Sequence, residues 1–176
     1  MTDEVARELV ELAEAKRASL TPSDWATLRE ITERVTAHAG PFAEWVPPKR
    51  IGDNSFEIGY SSWGSLAGEV VRAVYDLGLV VPFAWPQWED AQRLLAPATF
   101  DPDTLTWPQT VGLLTLLLRQ DRFSDGTVAE AFEDGALPKL LVRLLDFAPT
   151  RGECMTVASP PNPRSSAASP HHRSHP

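Results

Sequence analysis

The chain has 176 residues, 43% of them hydrophobic, and a formal net charge of −8, which predicts one folded domain of ordinary size and not a wholly unstructured chain. Its longest apolar run, around Val111 to Leu118 and broken by Thr115, falls short of the roughly 18 residues that a membrane helix needs. The acidic balance opposes binding to a nucleic-acid backbone, and one cysteine, Cys154, excludes an internal disulfide and a cysteine-built zinc site.

The start, Met1-Thr2-Asp3-Glu4, is acidic and carries no basic segment followed by an apolar block. It therefore sets the expectation of a cytoplasmic protein without a signal peptide. From residue 4 to about 18, apolar Val5, Leu9, Leu12 and Ala13 recur among Glu, Arg and Lys, the spacing of a helix with one buried stripe. Thr21-Pro22-Ser23-Asp24 then combines a hydroxyl N-cap, a proline at the first helical position and an acid in the first turn. The helix it starts should bury Trp25, Leu28, Ile31 and Val35 and stop before Gly40-Pro41.

Residues 42–62 hold Pro47-Pro48, Gly52-Asp53-Asn54 and the short alternating run from Phe56 to Tyr60. These predict one brief strand or an extended loop. The aromatics Phe42, Trp45, Phe56, Tyr60 and Trp63 are many for a free loop, so this segment is expected to pack onto the helices, with Trp45 and Trp63 partly exposed. Helical spacing returns with Leu66, Val70, Val74 and Leu77, ahead of a C-terminal Gly78. After an extended connection from Leu79 to Phe83, Trp85-Pro86-Gln87-Trp88-Glu89-Asp90 should open a helix with Trp88, Ala91 and Leu95 inward. Thr106-Trp107-Pro108 begins the most apolar helix, whose leucines cover most of its circumference and so place it centrally. Two short helices, near 127–134 and 138–147, flank Gly135 and close the domain.

From Pro149 the composition changes. The last 28 residues hold six of the 16 prolines and three of the four histidines, with no apolar periodicity, and read as a disordered tail. Removing its three arginines and one glutamate from −8 leaves −10 for residues 1–148. His171, His172 and His175 invite a metal reading, but a tail without fixed geometry makes solvated histidines the better one. Cys154 lies there too, with nothing basic held near it to activate its thiol.

The densest group of charges, Arg119-Gln120-Asp121-Arg122-Phe123, follows the central helix, and Ser124-Asp125-Gly126 turns the chain onward. Structurally, Arg119 and Arg122 suit a helix C-terminus, Asp121 and Asp125 can cap the turn, Phe123 can anchor it in the core, and Arg119 can pair with Glu130 or Glu133. Functionally, Asp121, Arg122 and Glu133 could form a small catalytic site, with the guanidinium gripping an anion and a carboxylate acting as base. The structural reading is favoured, and on it Arg122 braces the turn.

This stretch, R-x-D-R-F-x-x-G-x-V-A-x-A-F-E-x-G, runs from Arg119 to Gly135. Together with Trp45-Val46-Pro47-Pro48 and the order Val74-Tyr75-Asp76, Trp85, Trp88, it resembles an uncharacterised bacterial domain family of unknown function over about residues 42–147. In that family a cysteine often follows the Asp-Arg-Phe triplet, whereas this chain has Ser124. The resemblance implies a real domain and no particular chemistry.

Other patterns stay on the structural side. Trp85 and Trp88, three apart, would share one helical face and can stack a flat ligand, but core staples are commoner. Lys49-Arg50 is a basic doublet without the interleaved basic stripe of a nucleic-acid binder. His38, the domain's one histidine, suits a helix C-terminus, and no Gly-x-Ser-x-Gly elbow, phosphate loop or metal-ligand cluster accompanies it. The expectation is an all-α domain of six to seven helices over residues 1–148, with at most one short extended segment and a disordered tail from 149. It needs no cofactor, metal, nucleic acid or membrane. Its function is most consistent with a non-catalytic binding or protein-interaction domain using Trp45, Trp63, Arg119 and Arg122 toward a protein or small-molecule partner. The alternative is a hydrolase- or transferase-like enzyme using Asp121, Arg122 and Glu133.

Overall fold

The structure, a computed structural model, describes residues 2–96, 100–124 and 126–149. The proposed disorder from residue 150 onward, the tail histidines, Cys154 and the capping role of Asp125 lie outside the described residues.

Seven α-helices form among these residues: α1 Thr2–Ser19, α2 Pro22–Ala37, α3 Ser65–Asp76, α4 Asp90–Leu95, α5 Trp107–Gln120, α6 Thr127–Glu133 and α7 Ala136–Asp146. The domain is mainly helical, as its periodicity requires. Two N-termini are closed by reciprocal caps. The Thr21 Oγ1 accepts from the Asp24 N–H while the Asp24 carboxylate accepts from the Thr21 N–H, and Thr106 and Gln109 repeat the arrangement on α5.

α5 is the central post, touching α1, α4, α6 and α7. Ten of its 14 residues are buried, which only a helix surrounded on most sides can be. At its N-terminal end Trp107 is 1% exposed, packs against Trp25 and Phe147, and donates its indole N–H to the Ala13 carbonyl at 2.7 Å. Midway, the buried Thr115 hydroxyl accepts the Val81 N–H at 3.1 Å. This gives the connection after α3 the partner that its extended backbone lacks.

Three expectations are corrected. The helix foreseen from Trp85 starts late: Trp85–Gln87 is a single 3-10 turn, and α4 begins only at Asp90. Trp85 and Trp88 therefore do not share a helical face; Trp88 is buried edge-on against Phe83, while Trp85 is half-buried. The extended content is larger than one segment. Four short strands, β1 Ala43–Val46, β2 Lys49–Arg50, β3 Phe56–Glu57 and β4 Tyr60–Trp63, make two antiparallel ladders, β1 with β4 and β2 with β3. Together they form one long hairpin arm.

The arm does not pack down. Phe42, at its root, is buried, but Trp45 is 63% exposed, Phe56 66% and Ile58 84%. A two-stranded ladder has no second layer, so both of its faces meet solvent.

Candidate functional site

The arm is rooted by four contacts. Phe42 stacks on Phe132 of α6 with ring centroids 4.5 Å apart, and the His38 ring, just after α2, lies 4.7 Å from the Phe42 ring. The Phe42 N–H donates to Glu133 Oε1 at 2.8 Å, and the Gly64 N–H closes the root by donating to the Phe42 carbonyl. Further out, the arm touches the turn between α5 and α6. Gly126 holds a left-handed φ of 95°, and a Cβ placed there would stand 3.2 Å from Ser61 Oγ. Backbone sterics and the crowding by β4 both favour glycine at this point.

Register places the arm's side chains. Trp45 pairs with Ser61 and Ala43 with Trp63 across β1 and β4, so Trp45, Ser61 and Trp63 share one face. The Trp45 ring lies over Gly59, where a Cβ would come within 2.5 Å of it. In the outer ladder Arg50 pairs with Phe56, and its guanidinium sits 6.0 Å from that ring. With Ile51, Ile58 and Tyr60 also exposed, one arm displays six large apolar side chains to solvent.

Around the charged turn, the carboxylates of Asp121 and Glu133 accept backbone N–H groups. Asp121 Oδ1 accepts the Val128 N–H at 2.9 Å and so caps α6. Glu133 is engaged at the arm's root, not with Arg119. Among the described residues neither Arg119 nor Arg122 forms a salt bridge. Arg119 is half-buried, with its Nε closed off from solvent and unbonded, and Arg122 is exposed. Phe123 is also corrected. It is 82% exposed, because it continues the stripe of Leu116 and Gln120 along α5 and leaves the core beside Trp85, at 6.2 Å between ring centroids.

Trp85 and Phe123 flank a groove of about 570 Å³ at the C-terminal end of α5. Its lining includes Trp88, Leu95, Gln92 and Gln120, but none of Asp121, Arg122 or Glu133. Sequence reasoning missed it, although a Trp-Pro-Gln-Trp stretch and the i, i+4, i+7 series Leu116, Gln120, Phe123 carry its walls. No three His, Cys, Asp or Glu side chains among the described residues are placed to share a metal ion. None of the described helices is long and apolar enough to cross a membrane.

The class these features define is a mainly helical domain with a projecting hairpin arm. Residues 20–150 match the family of unknown function DUF6508, and the chain belongs to that family. No curated protein and no solved structure matches it.

Proposed function

We propose that the domain is a non-catalytic protein-interaction module of the cytoplasm, and that the hairpin arm is its contact element. The observation carrying this reading is the set of six exposed large apolar side chains on one arm anchored to a well-packed bundle. Exposed apolar surface of this extent on a folded domain marks an interaction site, and rigid aromatics are the side chains that dominate binding energy. The arm's charges are balanced to within one, with Lys49 and Arg50 against Glu44, Asp53 and Glu57. A protein with an apolar cleft suits it, and the chain's −8 argues against nucleic acid. The backbone N–H groups already held by Asp121 and Glu133 favour binding over catalysis.

The test places a photocrosslinking amino acid at Phe56 in the full chain, within its native lysate. A discrete adduct is expected there, abolished by Trp45→Ser with Ile58→Ser, while melting temperature stays unchanged. The same probe at Val142, exposed on α7, should give none. Equal adducts from both positions would refute the reading.

A further inference from the structure

A second surface, lined by no residue of the arm, carries a more specific inference. The groove beside α5 is walled by the aromatic rings of Trp85, Trp88 and Phe123 and by Pro86, and its polar lining groups (Gln92, Gln120 and Ser124) are all neutral. Exposed Glu89 adjoins Trp88 in the chain. Aromatic walls with neutral hydrogen-bonding groups suit a proline-rich segment. Pyrrolidine rings lie flat on aromatic faces, and the carbonyls, solvated in polyproline II, accept from side-chain amides and indole N–H groups. A charged small molecule would find no counter-ion among the lining residues.

The chain supplies such a segment itself. Pro160-Pro161-Asn162-Pro163 is a P-x-x-P run, and Arg164 follows it. The described chain ends at Pro149, beside Arg17, Trp25 and Phe147, at the Trp107 end of α5. The groove lies at the opposite end of this 14-residue helix, so about 21 Å of helix separates them at 1.5 Å per residue. The eleven residues from 149 to 160 span about 34 Å at 3.1 Å per residue, longer than that separation along the helix axis. Charge agrees: the tail is net +2 by its three arginines and one glutamate, against −10 for residues 1–148.

We propose that residues 159–164 of the chain's own C-terminal tail dock in the Trp85–Phe123 groove, making it a site for proline-rich sequence that the tail occupies in cis. Pro160 and Pro163 would lie against Trp85 and Phe123, and Arg164 would point toward Glu89.

The experiment uses the full chain with Cys154→Ser and Ser166→Cys, spin-labelled at the new cysteine and observed by NMR. Paramagnetic broadening is expected at the Trp85 indole and the Gln120 side-chain amide, at least twofold beyond that at the Trp45 indole. Pro160→Ala with Pro163→Ala should remove it, as should Phe123→Ala, and tenfold dilution should leave it unchanged. Broadening no greater than at Trp45, or broadening that survives the proline substitutions, overturns the proposal. Loss on dilution would also overturn it, since it would mean that the tail of another copy fills the groove. The arm enters these measurements only through the Trp45 reference and none of the substitutions touches it, so the two readings stand or fall separately.

Discussion

Phe132 shows how one side chain serves both the bundle and the arm. It is 2% exposed and stacks on Phe42, the residue where the arm begins. Phe132→Ala should therefore cost about 3 to 5 kcal/mol, the usual range for a core aromatic truncation, read by urea denaturation. Near-native stability would mean that the stack is not part of the core. Asp24 bears on pH. Its carboxyl is held below the usual carboxylate range, chiefly by accepting the Thr21 N–H and then by the Thr21 hydroxyl. A depressed folded pKa gives stability that is fully present above the unfolded value near 4 and lost as pH falls through the folded one. Asp24→Ala should thus lower the melting temperature at pH 7 and shrink the fall in stability below about pH 4. An acid limb identical to wild type would remove Asp24 from that linkage.

At the scale of elements, α5 decides how its neighbours pack. A Cβ on Gly112 would come within 2.7 Å of Leu9 on α1 and 2.9 Å of the Trp88 ring. Intrinsic propensity favours alanine over glycine in a helix interior by about 1 kcal/mol, but overpacking a tight core costs about 1 to 3 kcal/mol. The second effect should win, so Gly112→Ala is expected to destabilise the domain in chemical denaturation. A stabilised variant would mean that α1 and the Trp88 turn can withdraw from α5. The hairpin arm follows the opposite rule. Its ladders are short and carry no covering layer, so its order depends on the root at Phe42, Glu133 and Gly64.

For the whole molecule, the core built around α5 among the described residues runs from Val5 to Ala148. Ending the chain after Ala148 should leave cooperative unfolding intact and move the melting temperature by less than about 3 °C, equivalent to about 1 kcal/mol in a domain of this size. A larger fall, measured by calorimetry, would place essential core contacts in the tail. Docking of residues 159–164 is compatible with that small change, because an intramolecular peptide contact of modest affinity adds little to global stability.

Much of the helical framework was legible because it depends on local signals. The Thr21 cap, the period of Leu28, Ile31 and Val35, and the all-round apolarity of Val111 to Leu118 each act within a few residues. Resemblance to an uncharacterised family was read from the sequence, and the match over residues 20–150 to a family of unknown function bears that out. The surface was harder to read. Phe123, Trp45 and Phe56 carry the same apolar chemistry as core residues, and hydrophobicity alone says that such side chains tend to be buried, not that a second layer exists to bury them. The roles of Asp121 and Glu133 were open for a related reason: a carboxylate near a turn can cap a helix, pair with an arginine or face a cleft, and only the positions of Val128 and Phe42 settle which.

The sequence by itself determined most of the helices, the Thr21 cap and the central place of α5, since propensity, capping and periodicity are short-range effects. The tertiary structure alone decided that Asp121 and Glu133 part from the exposed aromatics. These two carboxylates were drawn into backbone hydrogen bonds, while the hairpin and the end of α5 were left projecting because nothing in the bundle lies over them. Whether an apolar side chain is core or contact surface depends on what packs above it, and that is a property of the assembled fold.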